Sequence, residues 1–92
     1  MVEVRLTRHL FTFFPQLEGR TLTVEATTAA EVVRALEAQA PGIGFYLCDE
    51  LGRLRTHVNL FIGTQMVKDR RGLSDRVPEG GVVHVIQALS GG

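Results

Sequence analysis

Two stretches of this chain alternate apolar and polar residues, one repeats apolar residues at helical spacing, and two are nearly continuous apolar runs. Val2-Glu3-Val4-Arg5-Leu6-Thr7 alternates and predicts a half-buried strand, as does Arg20-Thr21-Leu22-Thr23-Val24-Glu25. Gly19 supplies the turn before the second stretch, so the two are expected to form a wide hairpin. Between them Leu10, Phe11, Phe13 and Phe14 are expected to pack together, and Pro15 ends the run. Ala29, Val32, Val33, Leu36 and Ala40 then form one apolar stripe at helical spacing. Thr28 and Glu31 stand in capping-box register at its start, and Pro41-Gly42 ends it.

Beyond the helix, residues 43–51 read as irregular or as a short helical turn, and Gly52 marks a tight bend. Arg53-Leu54-Arg55 is a candidate short strand, and Val58-Asn59-Leu60-Phe61-Ile62 is a strand ended by Gly63. Met66-Val67-Lys68 is a candidate edge strand. Pro78-Glu79-Gly80-Gly81 turns the chain into a last strand, expected over the apolar run Val82 to Leu89. One helix with four or five strands makes an α+β domain whose helix buries its stripe on one sheet face. The last strand is apolar enough to require a central place in that sheet.

Composition narrows the function classes. The 92 residues suffice for one domain. With 45% hydrophobic and 22% charged residues, the balance is that of an ordinary globular protein. Ten basic side chains offset ten acidic ones, which gives no long-range attraction for nucleic acid. The local cluster Lys68, Arg70 and Arg71 reads as a solvated turn. Cys48, the single cysteine, excludes an internal disulfide and lies in an apolar stretch where a buried, inert thiol is expected. No membrane-spanning run or leader pattern is visible, so no membrane partner and a cytoplasmic location are expected.

Candidate chemistry is sparse. His9, His57 and His84 lack metal-ligand spacing, so no metal site is expected. Cys48 has no oriented base, Asp49-Glu50 reads as a solvated turn, and Gly80-Gly81 lacks the lysine and helix of a phosphate loop. What stands out is the ending Ser90-Gly91-Gly92 directly after the last strand. Two chance terminal glycines occur in roughly 0.5% of chains of ordinary composition. Without Cβ atoms the pair is slim enough to enter a narrow tunnel. Three extended residues reach on the order of 10 Å.

The segment Gly80-Gly81-Val82-Val83-His84-Val85-Ile86-Gln87-Ala88-Leu89-Ser90-Gly91-Gly92, with Val58-Asn59-Leu60-Phe61-Ile62, resembles the sulfur-carrier proteins of the MoaD/ThiS family. The resemblance extends over most of the chain. Leu36-Glu37-Ala38, Pro41-Gly42-Ile43 and residues 52–59 resemble in particular the carriers serving cysteine biosynthesis. Two departures are visible: Gly81 stands where the family commonly has aspartate, and Gln87-Ala88 replaces a proline-containing pair. The resemblance implies a ubiquitin-like β-grasp fold over residues 1–89, with a mixed four- to five-stranded sheet on one main helix. The last strand then pairs parallel with the first, and residues 90–92 form a flexible tail.

It also implies a chemistry. An E1-like, MoeB-type enzyme uses ATP to adenylate the Gly92 carboxylate, and a sulfur nucleophile displaces AMP to leave a thiocarboxylate. Gly92 is then the reactive residue and Gly91, Ser90 and Leu89 thread into the partner. The chain itself is not an enzyme and binds no cofactor. The acceptor is a cysteine-synthase-like enzyme or the large subunit of molybdopterin synthase. If Val83 and Val85 face the helix, Val82, His84 and Ile86 face outward. Ile86, His84 and Met66 are therefore candidate partner-binding residues, with a secondary core as the other reading of Ile86 and Met66. A protein modifier conjugated through Gly92, and an interaction domain with an idle diglycine, remain the alternatives.

Overall fold

The computed structural model describes residues 1–87, and within them the two alternating stretches become β1 (Val2–Leu6) and β2 (Leu22–Val24). The apolar runs become β3 (Val58–Ile62) and β5 (Val82–Gln87), and β4 (Gln65–Met66) lies between those two. They form one mixed sheet in the order β2-β1-β5-β3-β4. β1 pairs antiparallel with β2 and parallel with β5, while β5 pairs antiparallel with β3. The apolar last strand thus takes the central place its composition demands. Side chains two apart share a face, so Val2, Val4, Leu60, Val83 and Val85 all point to one side and are buried there.

That side is covered by α2 (Ala29–Gln39), whose Ala29, Val32 and Leu36 are fully buried. The N-terminus of α2 is satisfied from two directions. The Thr28 hydroxyl accepts from the Glu31 N–H at 3.3 Å. The Ala29 and Ala30 N–H groups donate to the Asp75 and Leu73 carbonyls at 3.0 and 2.9 Å. Leu73 lies in a loop that bends back onto the helix, buried and at φ +52°. The Glu31 carboxylate accepts from the Thr27 N–H at 2.7 Å. The reciprocal half of the expected capping box is therefore displaced by one residue.

At the other end of α2, Glu37 accepts from the Gly42 and Gly44 N–H groups at 3.0 and 2.7 Å. It ties α2 to the short α3 (Ile43–Leu47). Those bonds hold the Glu37 carboxyl below its ordinary pKa, the Gly42 N–H contributing most. Glu37 is thus structural.

Several local expectations differ from what forms. Residues 8–19 make α1 (Leu10–Phe13) and a 3-10 turn (Pro15–Leu17). Leu10, Phe14 and Leu17 are buried there, but Phe13 points outward and stacks on Tyr46 with ring centroids 5.2 Å apart. Arg53-Leu54-Arg55 is not a strand: Leu54 makes only an isolated bridge to Cys48 and donates its N–H to the Arg70 carbonyl. The edge strand begins one residue earlier than its apolar run, at Gln65. Gly81 has a steric reason to depart from aspartate, since a Cβ there would stand 2.9 Å from the Pro78 carbonyl oxygen.

Candidate functional site

β5 separates the core from the opposite sheet face. Register places Met66 beside Phe61, Phe61 beside His84 and His84 beside Arg5, making one row across four strands. Directly opposed residues project to the same side of a sheet. Ile86, two residues beyond His84, faces the same way and lies opposite Asn59. Ile86 and Met66 are 43% and 49% exposed, whereas Phe61 and His84 are half-buried. Ile86 and Met66 therefore stand at the surface rather than in a second core.

The end of β5 is held on both sides. Past the end of β1, the Thr7 N–H donates to the Val85 carbonyl at 3.0 Å. The Thr7 hydroxyl donates to the same carbonyl at 2.9 Å and accepts from the Gln87 N–H at 3.2 Å. Across the sheet Gln87 pairs with Val58. The expected threading residues Leu89, Ser90, Gly91 and Gly92 lie outside the described residues.

Beside that strand end sits a feature that sequence reasoning missed. Arg70 does not lie in a solvated turn: it is half-buried, and its guanidinium donates to Asn59 Oδ1 at 2.8 Å. It donates also to the Arg55 and Val58 carbonyls at 2.6 and 2.8 Å. Arg70 thereby fixes the start of β3 and the side chain opposite Ile86. The segment reaches it through a tightly bonded loop. Asp75 accepts from the Lys68 and Asp69 N–H groups, and Asp69 accepts from Gly72 and Ser74. The Ser74 hydroxyl, at 2.6 Å, is the main reason the Asp69 carboxyl is lowered to about 2.

Arg53, Arg55, His57, Arg70 and Arg71 surround a cleft of about 470 Å³ together with Asp49. The one signal in the sequence was Asn59, a polar residue inside an otherwise apolar strand. The remaining contacts span ten or more residues and leave no local trace.

Other candidate groups stay apart. Cys48 is buried, and desolvation pushes its thiol above the ordinary value, with the Asp49 charge adding to the rise. That disfavours a thiolate nucleophile. Asp49 accepts from the Leu51 and Arg53 N–H groups and pins its own turn. Among the described residues no three His, Cys, Asp or Glu side chains gather to hold a metal. Within them no helix is long and apolar enough to cross a membrane.

Comparison with known proteins places these features in a family context. The sequence model of the ThiS family matches residues 8–92. No curated protein sequence matches the chain. A solved structure of Mycobacterium tuberculosis CysO is similar at 26% identity and TM-score 0.82, covering 97% of this chain and 100% of that one. A chain of the Amycolatopsis orientalis BexX/CysO complex is similar at 23% identity and TM-score 0.84, with each chain covered in full. Haloferax volcanii SAMP1 is similar at 19% identity and TM-score 0.72, over 99% of this chain and 98% of that one. At that level of identity the last two speak for the fold, a ubiquitin-like β-grasp.

Proposed function

The chain belongs to the ThiS family, and from that premise we propose that it is a sulfur carrier whose C-terminal glycine is the chemical group. The observation that carries this reading is the position of β5. It is the central strand, bonded on both sides to its last described residue, and its sequence continues into Ser90-Gly91-Gly92. A strand held on both sides leads into the diglycine, with the exposed Ile86 near its end and Met66 on the same sheet face.

The carboxylate of Gly92 is a poor electrophile because it is anionic and resonance-stabilised. A MoeB-type partner joins it to AMP at the expense of ATP, releasing pyrophosphate and giving a mixed anhydride. Sulfide attacking the acyl carbon expels AMP and gives the thiocarboxylate directly. A persulfide expels AMP to give an acyl disulfide, whose S–S bond a second thiol cleaves to leave the thiocarboxylate and a disulfide. This chain supplies the acyl end and the docking surface, and ATP is bound by the partner. The acceptor is a cysteine-synthase-like enzyme, on the resemblance of Leu36-Glu37-Ala38, Pro41-Gly42-Ile43 and residues 52–59 to the carriers of cysteine biosynthesis. A molybdopterin-synthase large subunit is the competing acceptor.

Two measurements test the reading. Intact mass of the chain from its own cells shows an oxygen-to-sulfur exchange at the C-terminus. Branched adducts on lysine instead assign it as a modifier, and an unmodified chain in sulfur-replete cells assigns an idle diglycine. Gly92→Ala places a Cβ at the reacting end and lowers adenylation by the cognate enzyme about a hundredfold, the scale of a 1 Å misplacement. Thermal stability stays unchanged, because a terminal residue contributes few packed contacts. Equal activation of the two proteins sinks the proposal.

A further inference from the structure

We infer that the arginine-lined cleft at the start of β3 is a second docking element, which receives an acidic rim on the enzyme that takes in the C-terminal segment. This rests on the carrier reading above. Three observations lead to it. The first is unpaired charge. Among the described residues, only Arg53 of the cleft is ion-paired, to Asp49 at 3.0 Å. Within the described residues, Arg55, Arg70 and Arg71 have no carboxylate within ion-pair distance. A chain with ten acidic and ten basic side chains had the means to neutralise them and has not done so here.

The second observation is preorganisation. Arg70 is anchored on Asn59 Oδ1 and on the Arg55 and Val58 carbonyls, and Arg55 Nε donates to the Phe45 carbonyl at 2.8 Å. Neutral carbonyls fix the guanidinium groups without cancelling their charge. An arginine already held in place loses less freedom when a carboxylate arrives than one on a mobile stem.

Position is the third. Val58, which follows directly on His57 at the cleft, is the register partner of Gln87. Asn59, held by Arg70, is the partner of Ile86. An enzyme that encloses the residues after Gln87 must therefore stand over the cleft as well as over Ile86. A surface that does so without carboxylates desolvates three unpaired cations, which is costly. One that places carboxylates there gains charge-assisted hydrogen bonds and a steering field.

The test is the kinetics of adenylation by the MoeB-type enzyme of the same organism, with the full chain as the varied substrate. Arg71→Glu is the informative variant, because no side-chain hydrogen bond of Arg71 is present among the described residues to confound folding. Arg34→Glu, the same charge change on exposed α2, is the control. We expect Arg71→Glu to raise KM about tenfold at low salt with kcat within about twofold. The difference shrinks as salt approaches ~0.5 M and screening shortens the reach of the field.

A KM equal to that of Arg34→Glu overturns the inference while leaving the carrier reading intact. So does saturable binding of inorganic phosphate, followed by NMR, that Arg71→Glu abolishes while KM is unmoved; the cleft is then a free-anion site. A wild-type chain that is not adenylated at all overturns the carrier reading and this inference with it.

Discussion

The two faces of β5 are made from the same kind of residue and do opposite work. Val83 and Val85 are 0% and 1% exposed, closed in beneath α2, whereas Ile86 is 43% exposed. Chemistry does not distinguish them; parity along the strand does. Full burial of an aliphatic side chain stabilises the fold by roughly 1.5–3 kcal/mol, and one left 43% exposed forgoes nearly half of that. Ile86 therefore holds an apolar surface in water beside the strand end that leads to the diglycine. The lesson is that buried and exposed aliphatic side chains sit one residue apart on β5, so the surface proposed for recognition can be changed apart from the core.

The largest expected effect comes from the inner face. Leu60→Ala, opposite Val85 and fully buried, should lower unfolding free energy by about 3 kcal/mol in a urea titration. A loss below about 1 kcal/mol would mean that the inner face is loosely packed and the contrast false. Next comes Ile86→Ala, which should cost no more than about 1 kcal/mol of stability. It should raise the KM for adenylation about tenfold, near 1.4 kcal/mol, if Ile86 is an interface anchor. A destabilisation as large as that of Leu60→Ala would erase the distinction between the faces.

The smallest effect concerns the loop that carries Arg70 to the outer face. Asp69 is lowered to about 2, chiefly by the Ser74 hydroxyl and the Gly72 N–H. Its folded pKa lies below the unfolded one of about 3.9, so its contribution is complete above that pH and is lost as pH falls through about 2. Asp75 is shifted in the same direction by the Lys68 and Asp69 N–H groups. Amide exchange between pH 4 and 2 should show residues 69–74 opening before β5. Simultaneous opening would join the loop to the core and blur the line between scaffold and rim.

Much of this arrangement was written locally. Alternation marked β1 and β2, helical spacing with Thr28 marked α2, and Val58 to Ile62 formed the strand its apolar run implied. Parity on β5 also set which residues face out, so Ile86 and His84 were legible from the strand alone. Phe61 was not, because its neighbours His84 and Met66 are fixed only by pairing across the sheet. Leu54 carried a strand-like pattern, but with only one bridge to Cys48 it has no ladder to join. Arg70 was misread for the same reason. Its polarity suggested water, yet the carbonyls it satisfies belong to residues 12 and 15 positions earlier. Glu31 reached Thr27 rather than Thr28, a displacement that propensity does not encode.

The parallel pairing of β1 with β5 has a mechanical consequence. Tension between the first residues of β1 and the chain beyond Gln87 runs along both strands in opposite senses. It therefore loads their ladder in shear, so the bonds from Glu3 to Thr7 share the force instead of opening one by one. On the other flank β3 holds β5 by a second ladder of five register pairs, which must also slide if β5 is drawn out of the sheet. A machine that grips the end of this chain and pulls therefore meets ladders loaded in shear first.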